Sequence, residues 1–315
     1  MDKVKEKVAD MGLFSSWAES LDYEYEILPS CTRHKSHYSA CSKCVAACEK
    51  SAITIRNRKP VIDHSQCVQC GECMAACPVQ GIAGILPKRK IIQGQLIVSE
   101  DQFPTTIELL IFYQKGIRSI ICEDESFFQL CQERIEQVNE MLQCLGESSF
   151  SVSVHSVAEK DVCSRRELLS LWKKDSKSLM KEMTPAKWRF NQNSLNLRRY
   201  YPNYQFTKII IDVEKCTLCK VCQRICEKKC FHIGDEHFSL SIKDCTACRL
   251  CADICPEKAI IFEEQIIKTE EIHFPIYEIV CQACQHPFKT LREEDETCPA
   301  CTKLHIFEQN GVKES

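Results

Sequence analysis

Cysteines at short, regular intervals are the residues of this chain whose types and spacing could do chemistry. Seven of them recur 178 residues further along the chain, and each copy ends in a Cys-Pro pair. Thiolates spaced by two or three residues are typical metal ligands, so the repeat predicts bound metal. The first copy consists of Cys41, Cys44, Cys48, Cys67, Cys70, Cys73 and Cys77, and the second of Cys219, Cys222, Cys226, Cys245, Cys248, Cys251 and Cys255.

The composition of the whole chain argues against a disulfide-stapled secreted protein. The 315 residues include 25 cysteines, but residues 1–20 contain neither an apolar signal core nor a twin arginine. No apolar run approaches the ~20 residues that a membrane-spanning helix needs. We therefore expect a cytoplasmic protein of two or three domains, without a membrane span, in which the thiols are available to metals.

Each copy of the repeat resembles a bacterial-type ferredoxin module that carries two [4Fe-4S] clusters. The resemblance covers roughly residues 30–87 and 208–265, and the pair resembles polyferredoxin-type electron-transfer subunits. A C-x2-C-x2-C loop offers three thiolates to one cluster, and the cysteine after the next three residues points to the other cluster. Three complete ligand sets follow: Cys216, Cys219 and Cys222 with Cys255; Cys245, Cys248 and Cys251 with Cys226; and Cys67, Cys70 and Cys73 with Cys48.

The fourth set lacks its leading cysteine at the regular position. Tyr38 stands where the second copy has Cys216, and the nearest cysteine upstream is Cys31. We expect Cys31 to reach back over the loop TRHKSHYSA, because each doubling of loop length adds only about 0.6 kcal/mol to the closure cost. The fourth set would then be Cys31, Cys41, Cys44 and Cys77.

Alternatives to Cys31 stay open at this point. His34 or His37 could ligate instead, the site could hold three irons, or it could have lost its cluster. With four thiolates at each cluster, no iron would have an open position for a substrate, and the chain contains no C-x3-C-x2-C motif of the kind that leaves one iron open. The expected chemistry is therefore the transfer of single electrons.

A separate cysteine pattern lies near the C-terminus and resembles a zinc ribbon or rubredoxin-like knuckle across residues 276–307. Two C-x2-C pairs separated by thirteen residues can close a tetrahedron around one metal ion. We expect a structural Zn2+ there, with a single iron or an unmetallated hairpin as the alternatives. The expected ligands are Cys281, Cys284, Cys298 and Cys301.

The middle of the chain predicts a small α/β unit whose role the sequence does not indicate. Strands are expected at QLIVS, RSIICE and FSVSVHSV, with helices between them that end at Gly116 and Gly146, and this order favours a parallel sheet. The second helix carries an apolar stripe, which makes Cys131 a core residue. The stripe consists of Phe127, Cys131, Ile135, Val138, Leu142 and Leu145.

The remaining segments are predicted to be helical. Val4, Val8 and Met11 have helical spacing, and a basic segment after Lys160 contains a capping-box pattern that begins at Ser164. The predicted fold class is α+β, with two ferredoxin-like dicluster modules that flank the α/β insert and a helical linker. The predicted boundaries are 1–29 (N-terminal helical segment), 30–90 (first module), 91–158 (α/β domain), 159–205 (basic linker), 206–268 (second module) and 269–315 (zinc ribbon).

These patterns together predict an electron-transfer protein with four [4Fe-4S] clusters and one Zn2+. By resemblance, its partner would be a catalytic oxidoreductase subunit of the formate dehydrogenase, hydrogenase or heterodisulfide reductase kind, and the chain itself would not be an enzyme alone. An iron–sulfur sensor or assembly factor that binds a partner through its zinc ribbon and basic helix is the alternative. We expect no nucleic-acid binding, because the acidic run 293–296 lies beside the knuckle.

Overall fold

The fold is given by a computed structural model that describes residues 24–87, 89–98, 103–154 and 195–304. The described residues form two compact units: residues 24–35 with the described part of 42–200, and residues 36–41 with 201–304. The helices expected around Val8 and after Ser164 lie outside the described residues. Within the described ranges, no helix has the length and apolar character that a membrane crossing requires.

Short strands frame the first cysteine-rich stretch, which lies in the first unit apart from residues 36–41. β1 (Glu26–Ile27) pairs antiparallel with β4 (Ile82–Ala83), so the beginning of the stretch lies beside its end. β2 (Ile53–Arg56) and β3 (Lys59–Ile62) form a hairpin between the two cysteine loops. Three short helices complete the stretch: α1 (Thr32–Lys35), α2 (Lys43–Ala46) and α3 (Glu72–Ala76).

A four-stranded sheet follows in the first unit, with the strand order β5-β6-β7-β8. The last three strands run parallel, as the sequence predicts, and a helix connects each to the next. β5 is an antiparallel edge strand that the sequence analysis missed. The elements are β5 (Lys90–Ile92), β6 (Gln95–Val98), α4 (Thr106–Gln114), β7 (Ser119–Cys122), α5 (Glu125–Cys144) and β8 (Ser151–Val154).

Local signals fix the ends of α4 and α5. Thr105 and Glu108 form a capping box at the start of α4. Gly116 and Gly146 follow the two helices at positive φ, a conformation that glycine adopts without strain. The predicted stripe of α5 is buried, Cys131 included, which confirms the core assignment.

The second unit has the same arrangement of paired strands around its cysteines. β10 (Lys208–Ile211) pairs with β13 (Ile260–Glu263), and the β11–β12 hairpin lies between the cysteine loops and gains β15 as a third strand. Ile209, Phe238 and Leu240 are almost fully buried in the core of this unit. The other elements are α6 (Leu197–Tyr200, in the first unit), β9 (Tyr204–Gln205), α7 (Val221–Ile225), β11 (Phe231–Ile233), β12 (His237–Ser241), α8 (Leu250–Ile254), β14 (Ile267–Lys268), β15 (Glu271–Pro275), β16 (Tyr277–Val280) and β17 (Pro287–Thr290).

Candidate iron–sulfur and metal centres

Four cysteines that the sequence assigns to the neighbouring cluster share one local geometry. In each case the backbone amide four residues further on donates a hydrogen bond to the cysteine sulfur, and the residue before that amide has a positive φ. Amide donors favour the thiolate form of a cysteine and orient its sulfur. The bonds are Ala52 N to Cys48 Sγ (3.3 Å), Gly81 N to Cys77 Sγ (3.0 Å), Cys230 N to Cys226 Sγ (3.5 Å) and Ala259 N to Cys255 Sγ (3.4 Å).

The three C-x2-C-x2-C loops also share a backbone conformation. The second and fourth residues after the leading cysteine have positive φ, and a short helix begins directly after the fourth. In the loop around Cys41 the corresponding fourth residue, Ser42, has a φ of -132°. The loop without a regular leading cysteine is therefore built differently. The positive-φ pairs are Gln69 and Gly71, Leu218 and Lys220, and Ala247 and Arg249.

In the second unit, electrostatic interactions between the cysteines show which thiols lie near one another. Burial, and to a smaller extent the nearby thiols of Cys216, Cys219 and Cys255, raise the pKa of Cys222 to about 12. Burial is also the largest cause of the raised pKa of Cys251. The nearby thiols of Cys248, Cys245, Cys226 and Cys222 raise this pKa to a smaller extent. Each loop therefore lies beside the fourth cysteine of the other loop. Cys222 and Cys251 also bring the two groups next to each other.

In the first unit, Cys73 lies near thiols of both cysteine-rich loops. Burial, and to a smaller extent the nearby thiols of Cys70, Cys67, Cys44 and Cys48, raise the pKa of Cys73 to about 12. Cys48 is thus placed with the loop of Cys67, Cys70 and Cys73. The raised pKa disfavours the thiolate form of Cys73, and a bound cation would favour it.

Cys31 has the hydrogen bonds of a leading cysteine. Its amide donates to the carbonyl of Leu28 (3.0 Å), and the amide of Leu28 donates to the carbonyl of Gly81 (2.8 Å). In the second unit, the amide of Cys216 donates to the carbonyl of Asp212 (3.0 Å), whose amide bonds to Ala259 (2.8 Å). Relative to the paired strands, Cys31 therefore takes the position of Cys216.

Gly81 brings the backbone of Cys31 close to the fourth cysteine of its predicted set. A Cβ at Gly81 would lie 3.1 Å from the Cα of Cys31, and the amide of Gly81 bonds to the sulfur of Cys77. Cys44 also lies in the first unit, whereas Cys41 ends the segment 36–41 of the second unit. In that segment, the amide of Ala40 donates to Asp253 Oδ2 (2.8 Å).

The C-terminal cysteines form a compact cage at one end of the β16–β17 hairpin. The sulfurs of Cys281, Cys284, Cys298 and Cys301 all lie within 4.8 Å of one another, and those of Cys284 and Cys298 are 4.0 Å apart. Four sulfurs at 2.3 Å from a zinc ion would be about 3.8 Å apart in a tetrahedron. The donor set therefore fits one tetrahedral metal ion.

Backbone amides donate hydrogen bonds to one sulfur of the cage and favour its thiolate form, which binds a cation. The amide of Cys298 donates to the sulfur of Cys281 (3.2 Å), and together with the amide of Cys284 it lowers the pKa of Cys281 to about 6. Hydrogen bonds to Cys298 and Cys284 raise the pKa of Cys301 to about 12. A bound cation would allow Cys301, as well as Cys281, to bind as a thiolate.

The cage packs on the core of the second unit. Leu291 is buried in that core, and Lys289 Nζ lies 2.7 Å from Asp235 Oδ1 in the turn between β11 and β12. Lys303 also pairs with Glu257, two residues after Cys255. The knuckle is therefore an integral part of this unit.

Residues 39–81 match the family model of the 4Fe-4S dicluster domain. Residues 39–81 are therefore similar to 4Fe-4S dicluster domains, and together with the cysteine-rich stretches this match supports a 4Fe-4S ferredoxin-like module. The matched residues include seven of the eight cysteines predicted for the first module and leave out Cys31. The match and the cysteines support iron–sulfur electron transfer as the chemistry of this region. Among curated proteins, no match to this chain was found.

Tyr25 supports the dicluster domain, and sequence reasoning missed it. Its hydroxyl donates to the carbonyls of Gln69 (2.8 Å) and Ile85 (3.1 Å), which fixes the loop between Cys67 and Cys70. The buried ring occupies the space that a side chain at Gly84 would need. The signal in the sequence was that Gly84 stands where the repeat has Phe262.

Proposed function

We propose that this protein relays single electrons through four [4Fe-4S] clusters. Each cluster would be held by the four thiolates of one set, and the clusters would take up and release one electron at a time. The sets are Cys31, Cys41, Cys44 and Cys77; Cys48, Cys67, Cys70 and Cys73; Cys216, Cys219, Cys222 and Cys255; and Cys226, Cys245, Cys248 and Cys251.

The common geometry at Cys48, Cys77, Cys226 and Cys255 is the observation that carries this proposal. An amide bond to each of these sulfurs recurs in both cysteine-rich stretches. This recurrence supports two dicluster modules rather than one. The residues around these cysteines differ between the two stretches, but the hydrogen bond from the amide to the cysteine sulfur is present in both. Amide donors to ligand sulfurs also influence the reduction potential of a cluster.

Neighbouring thiols support a short path for the electron within each module. Cys222 is close enough to Cys251 to raise its pKa, and Cys44 is close enough to Cys73 to do the same. These cysteines belong to different proposed sets of the same module. An electron could therefore pass between adjacent clusters without leaving the protein interior.

Four thiolates at every cluster explain why we propose a relay and not an enzyme. The hydrogen bonds of Cys31 match those of Cys216, which supports Cys31 as the missing ligand over His34 and His37, both of which are exposed. With that ligand in place, no iron of the four clusters has a free position for a substrate.

We further propose that the C-terminal cage holds one structural Zn2+. Zinc suits four thiolates and has no redox chemistry, and the cage is packed against the second unit, where a structural ion would stabilise the fold. A single iron in the same cage is the alternative and would add a redox centre.

The proposed partner is a catalytic subunit of a larger oxidoreductase, in the reducing environment of the cytoplasm. A relay of four clusters needs a donor and an acceptor, and the formate dehydrogenase, hydrogenase and heterodisulfide reductase types are the candidates. A sensor or assembly role is the alternative. Stoichiometric co-purification with a flavin, molybdenum or nickel enzyme would support the relay, whereas transient complexes with scaffold proteins would support the alternative.

The number of electrons that the protein accepts tests this proposal. Coulometric reduction of the anaerobically purified chain should consume about four electrons per chain, one for each cluster, with low-temperature EPR signals of reduced clusters. Uptake of only about two electrons would restrict the function to a single dicluster module and refute the four-cluster relay.

A further inference from the structure

Arg134 of helix α5 connects the α/β sheet region to one proposed cluster site. Its Nη1 lies 2.7 Å from Glu72 Oε1, and its Nη2 lies 4.0 Å from Glu49 Oε1. Glu49 directly follows Cys48, and Glu72 directly precedes Cys73. One guanidinium therefore binds Glu72 closely and approaches the exposed Glu49, and both carboxylates adjoin cysteines of the same proposed ligand set.

Arg134 is partly buried near the cysteines of this set, so its positive charge can act on a cluster bound there. Arg134, Glu49 and Glu72 line a cavity of about 350 Å3 whose wall also contains the cysteines of that set. The side chains of Arg134 and Glu72 are 28% and 23% exposed, so water screens their interaction only in part. The Arg134 guanidinium also lies 5.8 Å from the centre of the Phe103 ring and 3.3 Å from the carbonyl of Pro104.

The second cysteine-rich stretch shows that this arrangement is specific to the first. The residue that corresponds to Glu72 is Leu250, which is buried and uncharged, while Glu49 corresponds to Glu227. Glu72 therefore adds a negative charge beside a cluster that becomes more negative when it is reduced. A nearby anion disfavours that reduction, and a cation bound to the anion offsets the effect.

We propose that Arg134 is a positioning residue that sets the reduction potential of the cluster bound by Cys48, Cys67, Cys70 and Cys73. This inference rests on the proposed function, and it gives the α/β sheet region a role in tuning one cluster of the relay. By thermodynamic linkage, reduction of that cluster strengthens the contact of Arg134 with its two carboxylates by the same free energy.

Substitution of Arg134 by methionine tests the proposal, because it keeps much of the side-chain length and removes the charge. In potentiometric titrations monitored by EPR, R134M should lower the equilibrium constant for reduction of one cluster about tenfold, which is about 59 mV for one electron. The other clusters should keep their potentials. R134K retains the positive charge but lacks the planar guanidinium group, and it should shift the reduction potential of the same cluster less than R134M does.

Two further variants separate electrostatics from a loss of structure. E72L introduces the residue of the second stretch and should shift the same potential in the positive direction, and R134M/E72L should return it towards the wild type. K90M is the matched control, since it removes an exposed lysine that pairs with Glu123 at 3.6 Å in the same region and should change no potential.

The outcomes distinguish this inference from the proposed function. If the wild-type protein holds no cluster at Cys48, Cys67, Cys70 and Cys73, the proposed function fails. If that cluster is present by iron content and EPR, but R134M and E72L leave its potential unchanged or shift all potentials equally, the role of Arg134 is refuted. If R134M loses the cluster, E72L alone decides by the presence or absence of the positive shift.

Discussion

Replacement of Cys31 by alanine examines the least regular of the proposed cluster sites. The amide of Cys31 bonds to the carbonyl of Leu28, and its Cα packs on Gly81, so alanine fits the backbone and only the thiolate is lost. Three thiolates would remain for a cluster of four irons. If that cluster is lost, the iron content should fall from about 16 to about 12 per chain, since each cube contains four irons.

The assay is iron analysis of the anaerobically purified variant, together with low-temperature EPR of the reduced protein. One cluster signal should disappear or change, and conversion to a three-iron site would lower the count by only about one iron. Cys144→Ala is the matched control, because Cys144 is exposed and stands outside the ligand spacings. If Cys31→Ala keeps the full iron content and an unaltered spectrum while His34→Ala or His37→Ala does not, the assignment of Cys31 is wrong.

Other substitutions test separate parts of the account. Cys230→Ala should retain iron and lower the reduction potential of the cluster of Cys226, because the Cys230 thiol and the amides of residues 228–230 lower the pKa of Cys226 to about 6. Loss of a hydrogen-bond donor worth about 1 kcal/mol corresponds to a decrease of about 40 mV. An unchanged potential would show that the thiol has no influence. Arg89→Met should lower the free energy of unfolding by about 3–5 kcal/mol in denaturant titrations, because Arg89 and Glu108 form a pair at 2.8 Å with both side chains 6% exposed. Lys90→Met, at an exposed pair, should cost no more than about 1 kcal/mol, and equal losses would contradict this difference. Cys301→Ser should abolish zinc binding and leave iron unchanged, as metal analysis would show; parallel loss of iron would instead place iron in the cage.

The sequence predicted the elements whose pattern is local. The stripe from Phe127 to Leu145 defined helix α5, because one helical face must be apolar to be buried. The cysteine spacing is the basis of the proposed ligand sets, since the loop and the following helical turn leave little freedom of direction. The β5 strand (Lys90–Ile92) was missed because it is a short strand at the sheet edge, where Lys90 and Ile91 are exposed and the alternation of buried and exposed residues is absent.

Contacts between distant segments could not be predicted from the sequence. Arg134 reads as one more charge on the polar face of a helix, and only the fold places it beside Glu49 and Glu72. Tyr25 fits against Gly84 through a pairing of β1 with β4 that spans most of the module. The placement of residues 36–41 with the second unit likewise depends on tertiary contacts, such as that of Ala40 with Asp253.

Metal analysis of the protein purified without oxygen tests the central claim most directly. Four clusters and one tetrahedral thiolate site predict about 16 irons and about one zinc per chain. An iron content of about 8, or protein without cluster signals after strong reduction, would contradict the proposal of a four-cluster electron relay.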